Sequence, residues 1–331
     1  MDEAPSVYVT RLIPRAGLDL LRGCARVKVW EGELPPPRDV LVEELKTVDG
    51  ALTLLTDSID AELMDSAPRL RAVSNYAIGY DNIDVQAATE RGIMVCHTPG
   101  VLTDTTADFA FTLMASVGRR VVEAVQYVRD GKWKTWGPML CLGHDLYGAT
   151  LGLIGLGRIG GAVAKRATGF DMRLLYHDLN RQPILEKELG LTYADLDTVL
   201  RESDFISLHT PLTNETHHMI GAEQFEKMKH TAVLVNTSRG QVVDQAALYD
   251  ALASGKIAGA GLDVTDPEPI DPNDPLLDLE NCVIVPHIAS ASVAARTLMA
   301  TMAAENLVAA LQGRMPRNPV NPEALDVKGL R

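Results

Sequence analysis

The sequence predicts an α/β protein of two domains organised around parallel sheets. Three observations carry that expectation. Short apolar runs alternate with amphipathic stretches, the pattern of repeated βαβ units. The alternation comes in two series, separated by the Trp-, Gly- and Pro-containing stretch GKWKTWGPML. The chain has 331 residues, more than one average core accommodates.

In the first series, strand-like runs fall at residues 7–10, 51–55, 70–74 and 93–96, with helix-like segments between them. A long helix is expected over 103–129, opened by the Thr- and Asp-rich VLTDTTAD, which suits an N-cap region. The second series runs from 150 to 285. Residues 290–312 read as helical from their Ala, Leu and Met content, and 313–321 form a Pro- and Asn-rich tail. No internal repeat or low-complexity tract is visible.

Composition narrows the function classes. Hydrophobic residues make up 46 % and charged residues 23 %, ordinary for a soluble chain. The net charge of −13 argues against a nucleic-acid partner, which needs clustered Lys and Arg. The N-terminal MDEAPSVYVT lacks a basic region followed by an apolar one, and no apolar run reaches the ~20 residues that span a bilayer. Cys24, Cys96, Cys141 and Cys282 lie far apart with no CxxC pairing, which fits neither a zinc site nor a disulfide framework. The expectation is a cytoplasmic protein with no membrane or metal association.

The clearest motif is ATLGLIGLGRIGGAVAKRA. Gly155, Gly157 and Gly160 form GxGxxG after a strand-like run and before a helix-like one, with Leu156, Arg158 and Ile159 in the same turn. Glycines there allow a tight turn, close approach of backbone to a pyrophosphate, and close helix–strand packing. The helix N-terminus adds free N–H groups and a positive dipole end. A second apolar run ends at Asp178, placed to accept hydrogen bonds from ribose hydroxyls and to repel a 2′-phosphate. NAD is therefore expected, with NADP the alternative because Arg181 stands close by.

The stretch GLDVTDPEPIDPNDP holds five carboxylates and four prolines in fifteen positions. A solvated acidic loop is the ordinary reading of such a run. Three apolar runs nevertheless end in Arg239 (NTSRG), Asp263 with Glu268 (GLDVTDPEP) and His287 (VPHIAS). In an open parallel sheet, ligand-contacting residues gather at the strands' carboxyl ends. Arg grips a carboxylate, His exchanges protons near neutral pH, and a Glu beside an imidazole holds it and favours its charged form. Singly, each has a bland explanation. Together they point to acid–base chemistry on an anion.

With these residues in view, the chain resembles the D-isomer-specific 2-hydroxyacid dehydrogenases. The likeness extends through NYAIGYDNID, RGIMVCHTPGVLTDTTAD, GLGRIG, HTPLTNET and GAGLDV, and the first of these is most similar to glyoxylate/hydroxypyruvate reductases. The resemblance implies a flavodoxin-like substrate domain, residues 1–100 plus 289–331, and an NAD(P)-binding Rossmann domain, 101–288. It implies Arg239, Glu268 and His287 as the catalytic set, and Asn75, Ile78, Gly79 and Arg239 around a small 2-oxo acid. Thr106, His209, Pro211, Thr216, Thr237, Asp263, His287 and Ala289 would line the cofactor. It further implies a homodimer whose 103–150 arm, carrying Trp133, Trp136 and Leu140, embraces the partner. In the acidic stretch Glu268 is the expected working carboxylate. Asp266 would shape the turn, while Asp271 and Asp274 would be solvated. D-lactate or another D-2-hydroxy acid as substrate, and a non-catalytic NAD(H)-sensing role, stay open.

Overall fold

Two sheets, both wholly parallel, organise the chain in the computed structural model, which describes residues 4–327. One unit comprises the chain up to Leu102 together with the chain from Ala291 onward, and the other is Thr103–Ser290.

The first unit holds β1 (Ser6–Val9), β2 (Arg26–Val29), β3 (Gly50–Thr53), β4 (Ala72–Asn75) and β5 (Met94–Cys96) in the order β2-β1-β3-β4-β5. This is the flavodoxin-like arrangement, whose order reverses between β1 and β3. Strands β3, β4 and β5 are buried along their whole length. Strands covered on both faces read as unbroken apolar or small runs, which is why they are legible in the sequence. Strand β2 is not, because Arg26 and Lys28 face outward on the sheet's edge. Edge strands are commonly protected by such charges. The helix Val293–Leu311 returns to this unit, capped by the Ser292 hydroxyl, which accepts from the Ala295 N–H at 3.1 Å. It packs on β3, β4 and the helix Arg15–Arg22. Gly17 is required there, since a Cβ would lie 2.6 Å from the Ala300 carbonyl oxygen.

The second unit holds β6 (Thr150–Ile154), β7 (Arg173–His177), β8 (Thr192–Tyr193), β9 (Phe205–Leu208), β10 (Val233–Asn236), β11 (Gly259–Leu262) and β12 (Cys282–Ile284). The order β12-β11-β10-β9-β6-β7-β8 is the Rossmann order with a seventh strand added, and its reversal lies between β6 and β9. Both core clusters of this unit are dominated by branched aliphatic side chains from the two faces of the sheet.

One expectation fails here. The single helix foreseen over 103–129 is two helices, Thr103–Gly118 and Val121–Arg129, divided at Arg120 with φ 51°. At the break the Gly118 carbonyl leaves the helical pattern and accepts from the His144 N–H at 2.7 Å. A Cβ on Gly118 would lie 2.8 Å from the Phe205 ring, and one on Gly143 would lie 2.3 Å from the Gly118 carbonyl oxygen. The chain is thus pinned at Gly118 between a core aromatic and the returning loop. The second helix buries none of its residues and exposes Val121, Val122, Val125 and Val128. Among the described residues, no helix is long and apolar enough to cross a membrane.

Candidate active site

At the β6–β9 reversal each motif glycine has a separate physical reason. Gly155 has φ +91°, and a Cβ on it would meet the His209 carbonyl at 2.8 Å. Gly160 faces the Gly155 carbonyl oxygen, which a Cβ would approach to 2.3 Å. Gly157 has nothing within 4 Å of its Cβ position and caps the ten-residue helix Arg158–Ala167. Two glycines are therefore demanded by the protein's own packing, and the third leaves the helix N-terminus open to an anion. A dinucleotide pyrophosphate fits this cradle, with the N–H groups of the first turn, from Arg158 and Ile159 onward, aimed at it. The buried Thr237 hydroxyl, which has no hydrogen-bond partner in the structure, is a second feature suited to a bound cofactor.

Asp178 follows β7, and its carboxylate accepts from the Leu156 N–H at 2.7 Å and the Asn180 N–H at 2.9 Å. It thereby ties the glycine loop to the end of β7. Arg181 is engaged by Glu186 through two bonds, at 3.0 and 2.9 Å, and lies over the Tyr193 ring. His209, beneath the glycine loop, shares a 2.9 Å hydrogen bond between its Nε2 and the Ser207 hydroxyl, and burial pushes its pKa down to about 4. It is neutral at pH 7. The Thr216 hydroxyl donates to the Pro211 carbonyl at 2.6 Å and accepts from the Thr213 N–H at 2.8 Å, bracing its own loop. Thr106 is buried in the first turn of the helix Thr103–Gly118.

At the ends of β10, β11 and β12 the acid–base residues come together around two buried braces. After β12, His287 has a left-handed backbone with φ 51°, uncommon for a residue other than glycine. Its Nδ1–H donates to Glu268 Oε1 at 2.6 Å, which leaves Nε2 as the outward nitrogen. The strained backbone is held by Asp263. Its carbonyl accepts from the His287 N–H at 3.0 Å, and its two carboxylate oxygens accept from the Ile288 and Ala289 N–H groups at 2.6 and 2.9 Å. Burial pushes the Asp263 carboxyl upward, while those two N–H bonds pull it down. Asn236, at the end of β10, is the second brace: its amide donates to the Arg239 carbonyl at 2.8 Å and its oxygen accepts from the Ser238 N–H and hydroxyl. Beside Arg239, Gly240 lies under the next loop, where a Cβ would stand 1.9 Å from the Thr265 carbonyl oxygen.

The remaining carboxylates sort differently from the sequence expectation in one case. Asp266 Oδ1 accepts from the Gln241 amide at 3.1 Å and its N–H donates to Gln245, so it shapes the turn. The Asp271 carboxylate accepts from the Asn273 N–H and side-chain amide, at 2.8 and 3.1 Å. Asp274 is not merely solvated. It caps the short helix Pro275–Asp278 and accepts from the Gln245 amide at 2.8 Å. Gln245 thus ties the acidic stretch down at two points, a role that nothing in its local sequence signals.

In the first unit, Ile78 and Gly79 follow β4. Asn75 is fully buried, and its amide donates to the Gly79 carbonyl at 2.9 Å and to Asn82 Oδ1 at 3.0 Å, while its oxygen accepts from the Thr53 hydroxyl at 3.1 Å. Both amide hydrogens are committed, so Asn75 shapes the Ile78–Gly79 turn and has none to offer a ligand. Asn82 extends the brace, donating to the Leu54 and Asp57 carbonyls at 3.1 and 2.9 Å.

A Rossmann sheet with a glycine cradle at its switch point, and a paired His and Glu at neighbouring strand ends, defines an NAD(P)-dependent oxidoreductase. The chain belongs to the D-isomer specific 2-hydroxyacid dehydrogenases: the model of that family's NAD binding domain matches residues 111–289. A glyoxylate reductase of Korarchaeum cryptofilum is 58 % identical over 325 residues, covering 98 % of each chain. A crystal structure of a Thermus thermophilus protein superposes with a TM-score of 0.90 at 50 % identity, covering 95 % of this chain and 99 % of that one. A Sinorhizobium meliloti NADPH-dependent glyoxylate/hydroxypyruvate reductase, solved with NADP and malonate, has a TM-score of 0.83 at 33 % identity, with 97 % and 98 % covered.

Proposed function

We propose that the protein reduces glyoxylate, and hydroxypyruvate as a second substrate, to the 2-hydroxy acid at the expense of NADH. The Glu268–His287 pair on the Asp263 brace is the observation that carries this reading. When bound, the reduced nicotinamide supplies the hydride that adds to C2. His287 delivers a proton from Nε2 to the carbonyl oxygen, and the adjacent Glu268 carboxylate stabilises the imidazolium form that does so. Arg239 pairs with the substrate carboxylate and with negative charge growing on the carbonyl oxygen. The N–H groups of Ile78 and Gly79 take the carboxylate as well. Asp263 and Ala289 serve the nicotinamide end, and His209, Pro211, Thr216 and Thr106 line the rest of the cofactor.

NAD rather than NADP is supported by the Asp178 carboxylate at the end of β7 and by Glu186, which engages the fork of Arg181. A homodimer, in a cytoplasmic setting, completes the proposal. Its support is the run of exposed Val121, Val122, Val125, Val128, Trp133, Trp136 and Met139, a concentration of apolar surface that marks an interface. A steady-state panel of glyoxylate, hydroxypyruvate, pyruvate and 3-phosphohydroxypyruvate with NADH and NADPH tests the substrate reading. Glyoxylate should give the highest kcat/KM, and a clear pyruvate preference would overturn it.

A further inference from the structure

We infer that His97 is a positioning residue for substrate: its imidazole fixes the peptide between Ile78 and Gly79 so that the Gly79 N–H stays directed at the 2-oxo acid's carboxylate. The inference rests on the proposed role of that turn in holding the carboxylate. Its structural basis is a row of three anchored carbonyls. The Ala77 carbonyl accepts from the Thr98 N–H at 2.8 Å, the Ile78 carbonyl lies 2.8 Å from His97 Nδ1, and the Gly79 carbonyl accepts from the Asn75 amide at 2.9 Å. Because a carbonyl only accepts, Nδ1 of His97 carries the proton.

A trans peptide is planar, with its C=O and N–H pointing to opposite sides. Anchoring the Ile78 oxygen therefore directs the Gly79 N–H the other way. Among the described residues, the N–H groups of Ile78 and Gly79 donate to no protein acceptor. Successive N–H groups presented in this way form an anion-binding concavity. Donation to the Ile78 oxygen also polarises that peptide and strengthens its N–H as a donor.

The imidazole stands on a fixed base. The His97 N–H donates to the Asn318 carbonyl at 3.2 Å, and its carbonyl accepts from the Asn306 amide at 3.1 Å. The Tyr80 ring meets the imidazole edge-on, with centroids 5.4 Å apart and planes at 83°. Thr98 acts through its backbone and Asn75 is sealed in the core, whereas His97 is only partly buried and acts through its side chain. It is the anchor that a substitution can remove without opening the core.

The experiment compares wild type with His97→Phe, which keeps a ring against Tyr80 and loses the donor, and His97→Asn, whose amide can place an N–H where Nδ1 stood. Readouts are glyoxylate kcat and KM, the KM for NADH, and the inhibition constant of oxamate, an unreactive 2-oxo acid analogue. His97→Phe should raise the glyoxylate KM and the oxamate constant by about five- to tenfold, the effect of one lost hydrogen bond, with kcat and the KM for NADH within about twofold. His97→Asn should recover most of the loss. If His97→Phe does not fold, His97→Leu serves as the variant without a donor. An unmoved glyoxylate KM, a loss confined to kcat, or His97→Asn as impaired as His97→Phe overturns the inference alone. A wild type that neither reduces glyoxylate nor binds oxamate overturns the functional reading and the inference together.

Discussion

In the five-stranded unit, the groups left free at the strand ends are peptide N–H groups at Ile78 and Gly79, behind which a buried amide, a backbone N–H and an imidazole grip three carbonyls. In the seven-stranded unit the groups presented at the strand ends are ionisable side chains, Arg239, Glu268 and His287, set on buried braces at Asn236 and Asp263. The two sheets share an architecture and differ in what they present. In the proposed reading, one unit depends on backbone conformation and should tolerate changes in side-chain chemistry at the contact itself. The other depends on side-chain identity.

The largest effect should come from removing the proton donor. His287→Gln is expected to lower kcat for glyoxylate about a thousandfold, within the range for general acids, while NADH binding measured by fluorescence changes little. Glu268→Gln keeps the shape and removes the charge, and should cost about tenfold in kcat, because the carboxylate stabilises the imidazolium without touching the reacting atoms. Equal activities for His287→Gln and wild type would end the distinction between the two units.

Next comes the brace beneath it. Asp263→Asn keeps one acceptor where the turn needs two, so the left-handed His287 backbone loses part of its support. A fall in kcat of about tenfold to a hundredfold is expected, on the scale of one lost charge-assisted bond in the site. A compensating rise in activity at any pH would argue against a bracing role.

Cofactor choice should respond more modestly. Asp178→Ser is expected to shift the kcat/KM ratio of NADH to NADPH about tenfold toward NADPH, since on the proposed reading it removes both a ribose acceptor and a repulsion. Glu186→Gln, which releases Arg181 from its pair, should move the ratio the same way. A wild type that already favours NADPH would show that Arg181 outweighs Asp178.

His209 supplies a stability effect with a definite sign. Burial lowers its folded pKa from 6.5 to about 4, so below pH 6.5 the unfolded chain binds a proton that the folded chain does not. The stabilisation is present above that pH and is lost as the pH falls toward about 4, a difference on the order of 3 kcal/mol. Thermal melts of wild type and His209→Gln at pH 7 and pH 5 should diverge, with the variant losing less on acidification. The smallest effect belongs to the first unit. Ile78→Val should leave the glyoxylate KM within about twofold, because what the residue contributes is an N–H that every residue but proline carries.

The same contrast governs what can be read from the chain. Arg239, Glu268, His287 and the three glycines stand out because their chemistry is in the residue type. Strands β3 to β5 stand out because burial on both faces leaves an unbroken run of apolar and small residues. Strand β2 stays hidden, since an edge strand with Arg26 and Lys28 outward has only two apolar positions. The break at Arg120 stays hidden because the Gly118 carbonyl is taken by His144, which is not near in sequence. Asn75 was legible as a residue of the 75–84 stretch, but its bracing of the Ile78–Gly79 turn was not, because an amide suits ligand or backbone equally and only its partners show which it holds. Asn236, Gln245 and His97 act on backbone brought to them by the fold, and no local pattern marks such residues.

Gly240 bears on how this enzyme can diverge. With the Thr265 carbonyl lying where its Cβ would be, the arginine loop and the acidic loop are seated one on the other, main chain to main chain. A side chain in place of Gly240 would push the two loops apart. The drift open to this region is therefore exchange of single side chains on a fixed pair of loops. New substrate preferences in the lineage should arise at positions outside that pair, with residues 239–240 and 265–266 inherited as a block.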